Sequence, residues 1–416
     1  MKVCIHRGTR EIGGTCIEVE ARDQRLVLDI GLPLNADPCA IQLPPVKGFV
    51  EHDPTLLGVV ISHPHQDHYG LAGRLPKRVP VLIGTAAESI LKAALPFFPG
   101  AVAFDNVIPL RHRKPIQLGP FSLTPYTVDH SAYDSYAVML EADGKRLFYS
   151  GDFRGHGRTG NRFQELLDKP PRDVDTLLLE GTLVGQSDGR ACRTEDELMQ
   201  DMLRIIKATK GLVLVCCSGQ NIDRLVTVFK AARKAKRQLI VDGYTAHILR
   251  ATGNQAIPQS DWDGVRVFWP GSLRSKVKST EQFHLVGDLK GSRITPDGLE
   301  AEASCSVMLF RPSVVPDLDR AFQCLSEASL IYSLWPGYLK NEDTKPFREW
   351  LDKRGIPLHY CHTSGHASLS QLKDYVTAID PRVIVPVHTL ARESFSGMFR
   401  DVQLKDDGEW WGVGEE

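Results

Sequence analysis

Three imidazoles and one carboxylate lie within the six-residue segment HPHQDH at positions 63–68. Imidazole nitrogens and carboxylate oxygens suit Zn²⁺ and similar divalent metals. In extended chain, His63 and His65 send both rings to one side, whereas Asp67 and His68 fall in the turn toward a following helix and can address a neighbouring point. The spacing predicts ligands for two metal ions; the alternative is a solvent-exposed loop that happens to be rich in histidine.

The elements that must position these side chains are short strands, because apolar runs alternate with Gly, Asp and Pro turns through the first 180 residues. Near residue 186 the sequence pattern changes from short strands to alternating helices and strands. Thr194 and Glu197 form the capping box of a helix, and the runs GLVLVCCS, NIDRLVTVFKAARKAKR and QLIVDG form a strand, a helix and a strand. This βαβ pattern predicts a parallel sheet with crossover helices.

Composition places the chain among ordinary globular proteins: 416 residues, of which 42% are hydrophobic and 24% charged. The net charge of −1 removes any simple argument for a strongly basic nucleic-acid binder. The nine cysteines are odd in number and form no CxxC pair, which favours a reducing compartment. Neither a signal peptide nor an apolar run of bilayer length is visible, so we expect a cytoplasmic protein.

The HxHxDH motif after a hydrophobic strand resembles the metallo-β-lactamase fold. The resemblance implies an acidic residue at an upstream strand end, a later histidine and an aspartate that bridges both metals. Asp29 in VLDIG, His130 in TVDHS and Asp152 in YSGDF occur in this order, each at the end of a predicted strand. Taken singly, each has an ordinary alternative as a turn or surface residue.

Three further segments resemble the β-CASP branch of this superfamily, which includes ribonuclease J and the endonuclease of the mRNA 3′-end cleavage complex. Glu180 in LLLEGT, His366 in TSGHAS and His388 in VPVHTL stand where that branch has its acidic and two histidine motifs. The resemblance implies an α/β protein: an αββα metallo-β-lactamase sandwich built from residues 1–185 and 346–416, with a β-CASP domain inserted at 186–345. The inserted domain has a parallel sheet with flanking helices.

The resemblance also implies a role for each residue. His63, His65 and His130 hold one metal, Asp67, His68 and His388 hold the second, Asp152 bridges them, and Asp29 orients a ligand imidazole. Zn²⁺ is the expected metal at both positions, with Mn²⁺ as the alternative. A metal-bridging hydroxide attacks the phosphate, His366 assists at the phosphate or leaving oxygen, and Glu180 orients it. Asp67 is counted among the catalytic residues as well.

Ser364 and Ser218 are predicted to bind substrate by donating to phosphate oxygens, and Ser218 has N-capping as its alternative. Arg154 and Arg158 could touch a phosphate backbone, and a solvated loop is the preferred interpretation of both. The predicted substrate is single-stranded RNA or DNA, threaded between the two domains. Cleavage at ends or within the strand, and a homodimer, are both left open.

Two other functions compete with a nuclease. One is a small-molecule metallohydrolase such as a thioesterase, lactonase or β-lactamase, because one fold hosts many reactions. The other is a catalytically inactive structural subunit. His366, Glu180 and the inserted domain argue against the first, since a small substrate needs none of them. The complete ligand set argues against the second.

Overall fold

The computed structural model describes residues 1–34, 36–38, 40–186 and 192–415. The strands are, in chain order, β1 (Lys2–Arg7), β2 (Cys16–Ala21), β3 (Gln24–Leu28), β4 (Leu56–Val60), β5 (Val81–Gly84), β6 (Val107–Leu110), β7 (Ile116–Leu118), β8 (Phe121–Val128), β9 (Ser135–Ala142), β10 (Lys145–Tyr149), β11 (Thr176–Glu180), β12 (Val213–Cys216), β13 (Gln238–Asp242), β14 (Val265–Phe268), β15 (Arg293–Ile294), β16 (Ser306–Phe310), β17 (Ser329–Tyr332), β18 (Leu358–Tyr360), β19 (Val383–Val387) and β20 (Trp410–Gly412).

The α-helices are, in chain order, α1 (Gln66–Tyr69), α2 (Thr85–Ala94), α3 (Gly160–Asp168), α4 (Glu195–Ala208), α5 (Ile222–Lys234), α6 (Gly243–Ala251), α7 (Gly271–Ser279), α8 (His284–Gly287), α9 (Pro296–Ala301), α10 (Val315–Arg320), α11 (Lys345–Arg354) and α12 (Leu369–Ile379). No helix in the described ranges is both long and apolar enough to cross a bilayer. None of the eight described cysteines forms a disulfide; Cys39 lies outside the described residues.

The first compact unit comprises Met1–Leu95, Gly100–Gly189 and Gly365–Glu416. Its two sheets have the strand orders β20-β1-β2-β3-β4-β5-β6 and β19-β11-β10-β9-β8-β7. Alternate side chains of both sheets, such as Leu28 and Phe121, share one apolar core. Leu91 of α2 packs on the outer face of the first sheet, and Leu372 of α12 packs with the outer face of the second. The predicted αββα sandwich is confirmed.

The second unit comprises Pro96–Pro99 and Arg190–Ser364. All strands of its sheet run parallel in the order β15-β14-β13-β16-β12-β17-β18. The predicted βαβ unit is present as β12-α5-β13, with β16 lying between the two strands. The capping box is confirmed as well: the Thr194 hydroxyl accepts from the Glu197 backbone and the Glu197 carboxylate accepts from the Thr194 backbone.

The division along the chain differs from the expected boundary after residue 345, because residues 346–364 belong to the second unit. Strand β18 pairs in parallel with β17 of that unit. Phe347 and Leu351 of α11 are buried in the same apolar core as Leu330 of β17. Burial of such a side chain contributes roughly 1.5–3 kcal/mol, so both elements are held firmly to the second sheet.

Candidate metal centre

The expected ligands lie just beyond the carboxyl ends of strands in the first unit, or in the helix that follows. His63 and His65 follow β4, His130 follows β8, and Asp152 follows β10. His388 comes directly after β19 with a φ of +52°, and Asp29 comes directly after β3 with a φ of +59°. Both residues leave their strands through the left-handed region, which non-glycine residues adopt rarely and which occurs often at functional sites.

Asp67 and His68 lie inside the single-turn helix α1 rather than in a turn before a helix. The backbone of the segment after β3 holds α1 in place: the Ile30 N–H donates to the His68 carbonyl at 2.8 Å. A Cβ at Gly31 would lie 1.7 Å from the carbonyl oxygen of Asp67. Only glycine at position 31 therefore allows the segment after β3 to pack this closely against α1. In the sequence, the only indication of this contact was the glycine itself, two residues after Asp29.

The side chains form two groups, in each of which one nitrogen or oxygen atom per residue lies within 4.8 Å of the others. One group is His63, His65 and His130; the other is Asp67, His68, Asp152 and His388. A third group of the same kind, Asp152, Glu180 and His366, shares Asp152 with the second. In the first, Nε2 of His130 lies 3.2 Å from Nδ1 of His65. The structure thus brings together all seven residues that the sequence singled out as metal ligands.

Asp152 belongs to the second group and also approaches His63 of the first. Its Oδ2 lies 3.7 Å from Nε2 of His63, 3.1 Å from Nε2 of His68 and 3.6 Å from Nε2 of His388. One carboxylate oxygen therefore faces imidazoles of both groups. This is the position that a bridging ligand requires.

The polar atoms at this centre are buried without adequate partners. Nε2 of His63, His68 and His388 and both carboxylate oxygens of Asp152 lack a hydrogen bond of good geometry within the described part of the chain. Buried polar groups in native proteins are nearly always satisfied, and an unmet group costs about 1–3 kcal/mol. A set of such atoms converging on two points fits bound cations, and nitrogen and carboxylate donors suit Zn²⁺.

The protonation of the imidazoles also fits cation binding. Burial, reinforced by neighbouring imidazoles, lowers the pKa of His63 and His130 well below the ordinary value, and burial lowers the pKa of His65 to about 4. Burial likewise lowers the pKa of His388. These rings are neutral at neutral pH, which is the form that binds metals.

Two groups at the centre have pKa values shifted toward their charged forms, Asp152 and His68. Burial by itself raises the pKa of Asp152, but the surrounding imidazoles His388, His68 and His366 outweigh it and hold that pKa well below the ordinary value. Burial lowers the pKa of His68, but Asp152, Asp29 and Asp67 outweigh it and raise that pKa well above normal. Asp152 therefore stays ionised, and His68 is the expected ligand at which a proton competes with a cation.

A layer of hydrogen bonds fixes the ligand rings. Oδ2 of Asp29 lies 2.8 Å from Nδ1 of His68 and accepts from the Tyr149 hydroxyl at 2.7 Å and the Ser62 hydroxyl at 2.8 Å. This leaves Nε2 of His68 aimed at the centre, which is how an outer carboxylate orients a metal-binding imidazole. In the same way, Nδ1 of His130 donates to the Gly365 carbonyl at 2.6 Å.

Arg154 does not lie in a solvated loop, so that interpretation is wrong. Its side chain is fully buried, and its Nε lies 3.5 Å from Oδ1 of the buried Asp129, the residue before His130. Asp129 also accepts from the Gly157 N–H at 2.7 Å and from the Thr159 hydroxyl at 2.9 Å. This network ties the segment after β10 to the chain that carries His130. A sequence pattern cannot reveal such a pair, because the two residues are 25 positions apart.

His366 forms a separate pair beside the bridging carboxylate. Its Nδ1 lies 3.2 Å from Oε2 of Glu180 and 3.6 Å from Oδ2 of Asp152. Burial alone would lower the pKa of His366, but Glu180 and Asp152 outweigh it and raise the pKa to about 9. Glu180 is itself fixed by the backbone N–H groups of Phe153 and Thr182 at 3.1 and 3.2 Å. Glu180 therefore orients His366 and favours its protonated form.

The two serines belong to the second unit. Ser364 is buried at the end of that unit. Ser218 is exposed in the loop after β12, where its hydroxyl accepts from the Gln220 N–H at 3.2 Å. N-capping by Ser218 is wrong, because Asn221 caps α5 by accepting from the Arg224 N–H at 3.0 Å. Their contact with substrate stays a prediction.

Two family models match the chain. The beta-lactamase superfamily domain matches residues 35–217, and the Zn-dependent metallo-hydrolase RNA specificity domain matches residues 344–395. Among solved structures, a protein of unknown function from Enterococcus faecalis aligns with a TM-score of 0.76 at 20% identity, covering 99% of both chains. This likeness shows a shared fold.

Curated relatives with similar sequences are ribonucleases J. The chain is 22% identical over 410 residues to ribonuclease J of Mycoplasma genitalium, and 23% identical over 404 residues to ribonuclease J 1 of Streptococcus pyogenes. These alignments cover 93% and 92% of this chain and 67% of each relative. The enzyme of Synechocystis is 23% identical, and the chain spans 60% of its length. The chain therefore contains a metallo-β-lactamase domain and an RNA specificity domain of the β-CASP type, and over most of its length it is similar in sequence to ribonucleases J.

Proposed function

We propose that this protein is a two-metal phosphodiesterase that hydrolyses RNA, with single-stranded DNA as a second substrate to be tested. The observation that carries the proposal is the position of Oδ2 of Asp152, which faces His63 of one ligand group and His68 and His388 of the other. The RNA specificity domain matched at residues 344–395 and the ribonuclease J relatives support RNA as the substrate class.

His63, His65 and His130 would hold one cation, and Asp67, His68 and His388 the other, with Asp152 shared. Zn²⁺ is the expected ion and Mn²⁺ the alternative. When bound, a pair of divalent cations lowers the pKa of water and stabilises negative charge on the attacked phosphate. Asp29 fixes the ring of His68, and the Gly365 carbonyl fixes that of His130, so the ligand nitrogens stay aimed inward.

His366 supplies a proton. Because Nδ1 of His366 faces Glu180, Glu180 stabilises the imidazolium, and the ring can donate from Nε2 to the leaving oxygen of the phosphodiester. General-acid catalysis of this kind contributes about 10²–10⁴-fold to a rate. A thioesterase or lactonase needs no such proton donor beside a bridging carboxylate.

The test is incubation of the purified protein with RNA and DNA strands of one sequence, labelled at the 5′ or the 3′ end. Parallel reactions contain Zn²⁺, Mn²⁺, Mg²⁺ or a chelator, and product sizes separate end-directed from internal cleavage. We expect RNA cleavage that the chelator stops and that Zn²⁺ or Mn²⁺ restores. Cleavage that resists the chelator, or hydrolysis of thioesters and lactams without any strand cleavage, would contradict the proposal.

A further inference from the structure

The second unit contains a cavity of about 240 Å³ that includes none of the residues of the metal centre. It lies at the carboxyl edge of the parallel sheet, where Asp242 ends β13 and Arg311 follows β16. The lining residues are Phe97, Phe98, Asp242, Tyr244, Pro270, Ser272, Leu273, Arg311 and Ser313. Sites for drug-sized ligands measure about 300–1,000 Å³, so this cavity suits a single small ring system.

The topology of the sheet explains why a cavity opens at this edge. Strands β13 and β16 are neighbours, but the chain leaves β13 toward β14 on one side and leaves β16 toward β17 on the other. The connecting segments therefore diverge and leave a crevice between them. In open parallel sheets, ligands bind at this kind of topological switch point, outside the carboxyl ends of the strands.

Aromatic rings form one wall of the cavity. Tyr244 and Phe97 meet edge to face, with their centroids 5.6 Å apart. Gln220 fixes Tyr244 by donating from Nε2 to its hydroxyl at 2.7 Å. A Cβ at Gly219 would lie 2.3 Å from the Arg311 guanidinium and 3.2 Å from the Tyr244 ring, so Gly219 packs closely against this wall. A half-buried, immobilised ring of this kind is a surface on which a flat ligand can stack.

A hydrogen-bond donor group, the Arg311 guanidinium, and an acceptor group, the Asp242 carboxylate, lie beside the rings. The Arg311 guanidinium is ion-paired with Asp242, lies 5.0 Å above the centre of the Tyr244 ring and donates to the Thr245 hydroxyl at 2.9 Å. Asp242 also accepts from the Thr245 N–H at 2.7 Å. A guanidinium has five N–H donors and a carboxylate about four acceptor positions. The Arg311 side chain is 29% exposed and the Asp242 side chain 6% exposed, and both line the cavity.

We infer that this cavity binds a guanine base, stacked on Tyr244 and read at its edge by Arg311 and Asp242. Guanine places acceptors O6 and N7 beside the donors N1–H and N2–H, which matches a guanidinium beside a carboxylate. Arginine to O6 and N7 of guanine is the commonest specific base contact. The base can belong to a single RNA strand or to a free guanine nucleotide. Only the first source rests on the proposed nuclease function.

The test is an NMR titration of the full-length protein with guanosine, adenosine, cytidine and uridine in the presence of a chelator. Nucleosides lack the phosphate that the metal centre would attract, so the signal reports on base recognition. We expect guanosine to bind about 5- to 150-fold more tightly than the others, the range for one bidentate base contact. Failure of every nucleoside to bind, or equal binding of all four, would overturn the inference.

Two variants locate the site. Ser272→Phe introduces a ring into the cavity from an exposed position and is not expected to perturb folding, whereas Tyr244→Leu removes the stacking surface. Both should lose guanosine binding, whereas Tyr338→Leu, a change at an exposed aromatic residue in the same unit, should retain it. Thermal unfolding checks that each variant is folded. Unchanged guanosine binding in Ser272→Phe would place the base elsewhere and overturn the inference.

A cleavage assay separates the two sources of guanine. RNA strands with and without a guanosine are compared with wild-type protein and Ser272→Phe. If the variant slows cleavage of the guanosine-containing strand alone, the base of the substrate occupies the cavity. If the variant cleaves both strands normally but has lost guanosine binding, the ligand is a free guanine nucleotide. If wild-type protein cleaves neither strand, the proposed nuclease function fails while the nucleoside titration still decides the cavity.

Discussion

The metal centre of the first unit and the Arg224–Glu195 cluster of the second are both buried and charged, but they differ in how their polar atoms are satisfied. The Arg224 guanidinium, fully buried, donates to Glu195 at 3.0 Å and to the Ser333 carbonyl at 2.9 Å. Thr227 donates to the other oxygen of Glu195 at 2.5 Å. At the metal centre, by contrast, three imidazole nitrogens and both Asp152 oxygens lack good partners among the described residues.

The difference separates a structural cluster from a binding site. A buried ion pair whose atoms are satisfied within one unit holds that unit together, and removal of one partner leaves an uncompensated charge. A buried set of unsatisfied donors and acceptors lowers stability unless a ligand completes it. The substitutions below should therefore affect metal content and turnover in the first unit, and folding alone in the second.

The largest effect is expected from Asp152→Asn. The amide retains the shape of the side chain but loses the negative charge that faces both ligand groups, so metal uptake and strand cleavage should fall to background. Elemental analysis and the labelled-strand assay measure the two losses. Thermal unfolding in the presence of chelator checks that the variant is folded. An unchanged metal content in this variant would rule out a bridging role for Asp152.

His366→Ala should reduce turnover by about 10²–10⁴-fold, the typical contribution of a general acid, while metal content stays at the wild-type value. The reason is that His366 lies with Glu180 and Asp152 in a third group, outside the two groups of expected ligands. His52→Ala, a change at an exposed histidine of the same unit, serves as the control. Wild-type turnover in His366→Ala would remove this residue from the reaction.

Arg224→Met should lower the free energy of unfolding by about 3–5 kcal/mol, since it leaves Glu195 buried and unpaired. Metal content per folded molecule should not change. Urea titration measures the loss, and the double variant Arg224→Met/Glu195→Leu should recover part of it because no charge is then left without a partner. If Arg224→Met were as stable as the wild type, the hydrogen bonds of the Arg224–Glu195 cluster would not stabilise the second unit, and the contrast with the metal centre would fail.

Asp29→Asn should weaken metal affinity by about 10- to 100-fold, which is typical for the loss of an outer carboxylate. Asparagine tolerates the φ of +59° at this position, so the change acts on the hydrogen bond to His68 rather than on the backbone. Competition with a chromophoric chelator measures the affinity, with the exposed Asp23→Asn as the control. Equal affinity in both variants would show that Asp29 does not orient the ligand.

Local patterns in the sequence predicted much of this fold and site. The spacing of HPHQDH indicated four ligands for two metal ions, and Asp29, Asp152 and His388 could be placed through the family resemblance because each follows a predicted strand. The capping box at Thr194 is likewise a local signal. Arg154 could not be placed, because its burial depends on Asp129, which lies far away in the chain. The domain boundary expected after residue 345 lies instead after residue 364. It too depends on a contact that a local pattern does not show, because β18 pairs with β17 of the second unit.

Anomalous X-ray scattering at the zinc edge, from crystals of Zn²⁺-loaded protein, tests the central claim most directly. We expect two peaks per chain, one among His63, His65 and His130 and the other among Asp67, His68 and His388, with Oδ2 of Asp152 between them. A single peak, or a peak held by Glu180 and His366 in place of either group, would contradict the two-metal account.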